Sequence, residues 1–275
     1  MDKLYLYQET YPAERVKVWA VTAKTVADCI ERGEVPQIRL PEELTSKVES
    51  SAPKIALLLG QDKHPDREEK DYSIFPDYVD AIIESGGFPV FIAFDKIEEQ
   101  LEQEKPNGIL LVGGNFRLIK QEGRDYEKRP LAYIKLIEYA KANKLPVFAI
   151  CGGEQLFAVY YEATPVCGLT DHMQKPYVWS HKIKLAKESK IRQIIDRGSM
   201  EINSCHHTAI EFDEKNPFIR VVGWAEDGTI EAIELKDNSW NEFVIGVQWH
   251  PERLMKIGDE NSAKLFKAFI KASKT

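Results

Sequence analysis

The 275-residue chain lacks any apolar run long enough to cross a bilayer, and its first residues, Met1-Asp2-Lys3-Leu4-Tyr5-Leu6-Tyr7, lack the apolar core of a secretory leader. These absences set the expectation of a cytoplasmic protein with no membrane partner. Clustered lysine and arginine are missing as well. The 37 basic residues stand against 44 acidic ones, for a net charge of −7, which argues against a surface built to bind nucleic-acid phosphates. Cysteine is scarce. Cys29, Cys151, Cys167 and Cys205 are scattered, without the paired spacings of a thiolate metal site or a disulfide framework, so they read as free thiols in a reducing compartment. What remains is a chain long enough for one large α/β domain with a full core.

The most informative stretch is Val147-Phe148-Ala149-Ile150-Cys151-Gly152-Gly153-Glu154-Gln155. Its first four residues read as a short strand buried on both faces, and a helix-like segment follows at once. Between them the chain must reverse in a turn too tight for ordinary side chains beside the cysteine. A cysteine there projects its sulfur above the sheet edge, where the free N–H groups and dipole of the new helix favour thiolate. The Gly152 N–H faces the same space and can stabilise an oxyanion. Alone, Cys-Gly-Gly is more often a buried structural cysteine before a turn. The balance changes near the other end of the chain, where the strand-like run 244–249 delivers His250-Pro251-Glu252. In extended backbone residues two apart point the same way, so Glu252 can orient His250, the base-plus-orienter pair that a thiol nucleophile requires.

Together these pieces resemble the class I glutamine amidotransferase-like superfamily, in which a Cys-x-Gly-x-Gln elbow pairs with a later His-x-Glu. A third segment, Ile202-Asn203-Ser204-Cys205-His206-His207-Thr208, is similar to the Val-Asn-Ser-x-His-His-Gln segment of its gamma-glutamyl-gamma-aminobutyrate hydrolase branch. The resemblance runs from about Pro53 to the C-terminus. It implies an α/β, flavodoxin-like three-layer fold with a mostly parallel central sheet, helices on both faces and a small antiparallel strand addition. The division it implies is an N-terminal extension, 1–52, and a hydrolase domain, 53–275.

The implied activity is hydrolysis of a gamma-glutamyl amide through a thioester on Cys151, with His250 and Glu252 completing the triad. The resemblance further implies oxyanion donors at Gly114 and Gly152, and head-group contacts from Gln155, Ser204 and His206. A small-molecule gamma-glutamyl substrate and no cofactor follow from the same comparison. The same residues leave open a glutaminase subunit of an amidotransferase, a non-catalytic regulatory protein that keeps the fold, and a homodimer. Two positions depart from the pattern. Gly152 stands where the branch usually has arginine, and Glu154 adds an acid just before Gln155, so the pocket is expected to lose a cation and gain an anion.

In chain order, 16–21 reads as a strand, 25–32 as a helix and 36–51 as a polar tether. Strands are expected at 54–59, 88–93 and 108–112, the last ending in Gly113-Gly114-Asn115, with a charged loop at 60–73. Helices are expected at 75–84, 97–103 and 131–142, the last opened by Arg124-Asp125-Tyr126-Glu127. The segment 164–180 reads as irregular, with Tyr177 and Trp179 as aromatic pocket wall and His172 as a solvated loop residue. A strand at 181–185, a helix at 189–195, a hairpin joining 219–224 to 230–235, and a helix at 262–272 complete the chain. The His206-His207 doublet raises the question of a metal. Neighbours in an extended segment point to opposite sides, and no acidic or histidine partner lies at a ligand spacing nearby, so no metal is expected.

Overall fold

Short uninterrupted runs of valine, isoleucine, leucine and phenylalanine form the centre of the molecule, because strands covered on both faces have no solvent side for a polar residue. The computed structural model describes residues 3–11, 16–46, 48–63, 70–114, 128–213, 215–236 and 240–274. Asn115 and the segment Arg124-Asp125-Tyr126-Glu127 lie outside the described residues.

The N-terminal stretch contributes β1 (Leu4–Tyr5), β2 (Tyr7–Tyr11), β3 (Val16–Thr22), α1 (Ala23–Glu31), β4 (Ile38–Arg39) and α2 (Glu42–Thr45). Next come β5 (Lys54–Leu58), β6 (Gly60–Lys63), β7 (Lys70–Ile74), α3 (Pro76–Glu84), β8 (Phe88–Ile92), α4 (Ile97–Glu104) and β9 (Gly108–Leu111). The chain continues through α5 (Lys128–Ala142), β10 (Val147–Ile150), α6 (Gly152–Tyr160), β11 (Thr164–Cys167), β12 (His181–Leu185), α7 (Lys190–Ile195) and β13 (Ser199–Ile202). It ends with β14 (Thr208–Glu211), β15 (Ile219–Ala225), β16 (Ile230–Leu235), β17 (Val244–Val247), α8 (Pro251–Met255) and α9 (Glu260–Ala272).

The main sheet runs β1-β4-β8-β5-β9-β10-β17-β16-β15-β12-β13. Its parallel centre is β8-β5-β9-β10-β17, and β16, β15, β12 and β13 extend it by antiparallel pairing. Seven of the helices form two packed groups, α3, α7, α8 and α9 in one and α4, α5 and α6 in the other. The expected flavodoxin-like α/β architecture is therefore present.

Two local expectations are corrected. The span 60–73 is not simply a charged loop: β6 and β7 pair as an antiparallel hairpin, and β7 continues into β3, giving the second sheet β2-β3-β7-β6. Its partner strand lies about fifty residues upstream, out of reach of a local pattern. Within 164–180, residues Thr164–Cys167 form β11, which pairs with β14. Residues before Pro53 share the main core, since Leu6, Val21, Val26, Ile38 and Leu40 are buried in the same cluster as the central strands.

Candidate active site

Three neighbouring strands end at one edge of the sheet, with β10 between β9 and β17. Because all three are parallel and in register, with Ile150 opposite Val247 and Ala149 opposite Leu111, their C-terminal ends deliver Gly113, Cys151 and His250 to one place. Open α/β sheets bind ligands at this edge.

Cys151 is the N-cap of α6, at φ 51° and ψ −115°, a positive-φ conformation that side-chain-bearing residues rarely adopt. The turn is held by its surroundings. The Cys151 N–H donates to the Val247 carbonyl, and its own carbonyl accepts the first helical hydrogen bond from Gln155. Gly153 is obligatory, because a Cβ there would lie 2.1 Å from the Leu111 carbonyl oxygen on β9. The sulfur-bearing residue is only 8% exposed.

His250 is the N-cap of α8, and Pro251 occupies the first turn, where its missing N–H costs nothing. Its Nδ1 lies 2.6 Å from Glu252 Oε1, so Nδ1 carries the proton that it donates and Nε2 is left for the thiol. The pairing is as expected but its basis is different. Residues 251–252 are helical rather than extended, and the contact closes across the first turn of α8. Burial alone would lower the His250 pKa; the charges of Glu252 and Cys151, with hydrogen bonds to both, outweigh it and raise the value to about 9.

Asn203 clamps this histidine through its backbone. The His250 N–H donates to Asn203 Oδ1 at 2.8 Å, and Asn203 Nδ2 donates to the carbonyls of His250, at 3.1 Å, and Pro176, at 2.7 Å. Replacing it with alanine strands these buried groups, each worth roughly 1–3 kcal/mol when left unpaired. Asn203→Ala is therefore expected to lose about 2–4 kcal/mol of stability in urea titration. Tyr78 is a second support, since its hydroxyl accepts from the Gly113 N–H at 2.9 Å and stands 3.4 Å from His250 Nδ1. From α5, Arg129 donates to the Gly113 carbonyl at 2.8 Å, fixing the turn after β9 from its other side.

The cleft above these groups encloses a volume of about 200 Å³, below the roughly 300–1,000 Å³ of drug-sized ligand sites and suited to a smaller molecule. Gly113, Gly114, Cys151, Gln155, His206 and His250 line it, together with Phe75, Tyr78, Met173, Cys205, Thr208 and Arg253. Gln155 is held in place, its amide donating to the Thr208 carbonyl at 2.6 Å and to Gln248 Oε1 at 2.9 Å. Gly152 supplies the first residue of α6, whose leading N–H groups have no intrahelical partner.

Several sequence-based expectations are corrected. Ser204 is fully buried outside the cleft lining, with its hydroxyl 2.8 Å from the His172 carbonyl, and Cys205 takes the lining position. His172 is 4% exposed rather than solvated. The aromatic lining comes from Phe75 and Tyr78; the Tyr177 hydroxyl instead donates to Asp77, and Trp179 lies on a separate surface depression. Glu154 adds no anion to the cleft. It is completely buried, and burial, reinforced by the negative charges of Glu231 and Cys151, pushes its pKa well above the usual carboxylate range. The cleft also gains a cation that the motifs did not reveal, Arg253, whose guanidinium sits 5.7 Å over the Phe75 ring.

The chain is similar to known proteins. A provisionally named glutamine amidotransferase of Schizosaccharomyces pombe is 31% identical over 214 residues, covering 72% of this chain and 81% of that one. A gamma-glutamyl-gamma-aminobutyrate hydrolase of Escherichia coli O157:H7 is 28% identical over 199 residues, 64% of this chain and 76% of that one. In fold, a crystal structure of a glutamine amidotransferase from Thermotoga maritima matches with a TM-score of 0.54 at 15% identity, covering 81% of this chain and 96% of the other. The family model for Peptidase C26 matches residues 55–252, from the first buried parallel strand to the carboxylate that orients His250. The chain therefore belongs to the Peptidase C26 family, a glutamine amidotransferase-like family of cysteine-type hydrolases.

Proposed function

We propose that the protein hydrolyses a gamma-glutamyl amide through a Cys151 thioester, with the chemistry carried by residues 53–275. The observation that carries this reading is the 2.6 Å contact between Glu252 and His250, beside a cysteine held in a strained turn at the mouth of a small-molecule cleft. In the first half, the Cys151 sulfur attacks the γ-carbonyl carbon and its proton passes to His250 Nε2. The tetrahedral oxyanion is met by the N–H groups of Gly114 and Gly152. When the C–N bond breaks, the amine leaves with the proton from His250. In the second half, water attacks the thioester, His250 removes a water proton, and the C–S bond breaks to release glutamate and restore the thiol.

Arg253 offers the charge complement for the α-carboxylate of the glutamyl group, the role left open by glycine at position 152. Gln155 and His206 line the same wall. Gln155 contributes chiefly by holding the Thr208 backbone against the elbow helix.

The test is a panel of gamma-glutamyl amides, including glutamine, scored by released glutamate, alongside labelling with a glutamine-analogue electrophile. Turnover of several gamma-glutamyl amines without a protein partner, with a single adduct on Cys151, is the expected result. Activity confined to glutamine and awakened only by cell extract would replace the reading with an amidotransferase glutaminase. Absence of both labelling and turnover would leave a binding protein that keeps the fold.

A further inference from the structure

Four side chains that the thiol chemistry does not use converge behind the cleft wall. Glu231, the second residue of β16, is fully buried. Its Oε1 lies 3.3 Å from His172 Nδ1, 3.2 Å from His181 Nε2 and 3.5 Å from His206 Nε2. His181 opens β12, His206 lies between β13 and β14, and His172 comes from the connection between β11 and β12. Three segments thus bring imidazoles to one carboxylate oxygen on a fourth.

His172 Nε2 faces Asp227 Oδ2 at 2.8 Å, and His206 Nδ1 faces the Thr208 carbonyl at 3.1 Å. Both partners are acceptors, so both outer nitrogens carry hydrogen. The inner nitrogens of both rings turn toward Glu231, and the two ring centroids stand 4.8 Å apart. His206 Nε2 and Glu231 Oε2 are, in addition, buried atoms with no hydrogen-bond partner among the described residues.

We propose that His172, His181 and Glu231, joined by His206, form a binding site for a divalent cation of the zinc class. Bonds of about 2.0–2.1 Å to a tetrahedral zinc place neighbouring donor atoms roughly 3.3 Å apart. The three carboxylate-to-imidazole separations bracket that spacing, and the donor atoms of His172, His181 and Glu231 all lie within 4.8 Å of one another. Imidazole nitrogen with one carboxylate oxygen suits zinc, whereas calcium and magnesium select all-oxygen sites. The His172 Nε2–H donated to Asp227 is the outer carboxylate contact that orients metal-bound histidines. Cation binding displaces any second protons from the imidazoles and ties β12 and β16 to the segment carrying Cys205, His206 and Thr208, the wall of the cleft.

The experiment uses the full chain, stripped with chelator and titrated with zinc, then with cobalt(II). Wild type is expected to retain about one zinc per chain after gel filtration, to melt higher with it, and to give the intense visible absorption of four-coordinate cobalt without a thiolate-to-cobalt band. Glu231→Gln and the less buried His181→Gln are each expected to weaken binding by about 100-fold or more. Should Glu231→Gln fail to fold, His181→Gln and the wild-type cobalt spectrum still decide. No retained zinc, a thiolate band assigning the metal to cysteine, or unaltered binding in His181→Gln would overturn the site. None of these readouts uses catalysis, so the outcome is independent of the thioester mechanism.

Discussion

Cys151→Ala is expected to lower kcat/KM toward a gamma-glutamyl amide on the order of 10⁵-fold, about 7 kcal/mol of transition-state stabilisation, while substrate binding changes little. The size follows from what the sulfur does. In the proposed mechanism it is the bond-forming atom, and without it the γ-carbonyl must be attacked by water directly. What alanine leaves behind is the proposed oxyanion pocket and the bound geometry, which retain a residual advantage over solution. The fold should tolerate the change. Alanine meets the same φ of 51° as cysteine, and the hydrogen bonds that hold the turn, to the Val247 carbonyl and from the Gln155 N–H, are backbone ones. The measurements are released glutamate, a binding titration with uncleaved substrate, and mass spectrometry for the acyl adduct in wild type. A fall of less than about tenfold, with binding intact, would remove Cys151 from the bond-forming step.

The parts of this arrangement legible in the sequence are those fixed by short stretches. A buried run, a cysteine and two glycines specify the elbow because the Leu111 carbonyl leaves no room beside Gly153, and His250-Pro251-Glu252 specifies a pair because two residues suffice to close it. What could not be read depends on pairing at a distance. Strands β6 and β7 take their meaning from β3, and β11 from β14, with partners about forty to fifty-five residues away. Ser204 shows the same limit at residue scale. Alternation along β13 ends at Ile202, and beyond it the chain bends into an isolated bridge between Cys205 and Met173, so counting by twos no longer gives the side facing the cleft. The histidine and glutamate cluster is the extreme case, since residues 172, 181, 206 and 231 share no motif and meet only when the antiparallel half of the sheet is assembled.

Glu252→Gln separates an electrostatic role for the carboxylate from a merely spatial one. The glutamine keeps the volume and an oxygen able to accept from His250 Nδ1, but it removes the negative charge 2.6 Å away and can present its NH₂ instead, which selects the wrong tautomer. A loss of about 10³–10⁴ in kcat/KM near neutral pH is expected. The pH profile carries the sharper information. In wild type, burial draws the His250 pKa down while Glu252 and Cys151 draw it up, and the result is about 9. The protonated imidazole that the departing amine needs therefore persists through neutral pH and is lost as pH rises through about 9. With the Glu252 charge gone, burial keeps its full effect and one raising contribution disappears, so the proton leaves at lower pH. The alkaline limb of kcat/KM should move down, and the wild-type-to-variant ratio should grow between pH 7 and 9. If Glu252 only filled space beside the ring, the ratio would stay constant across that range, and the His250–Glu252 contact would lose its part in setting the proton affinity of the base.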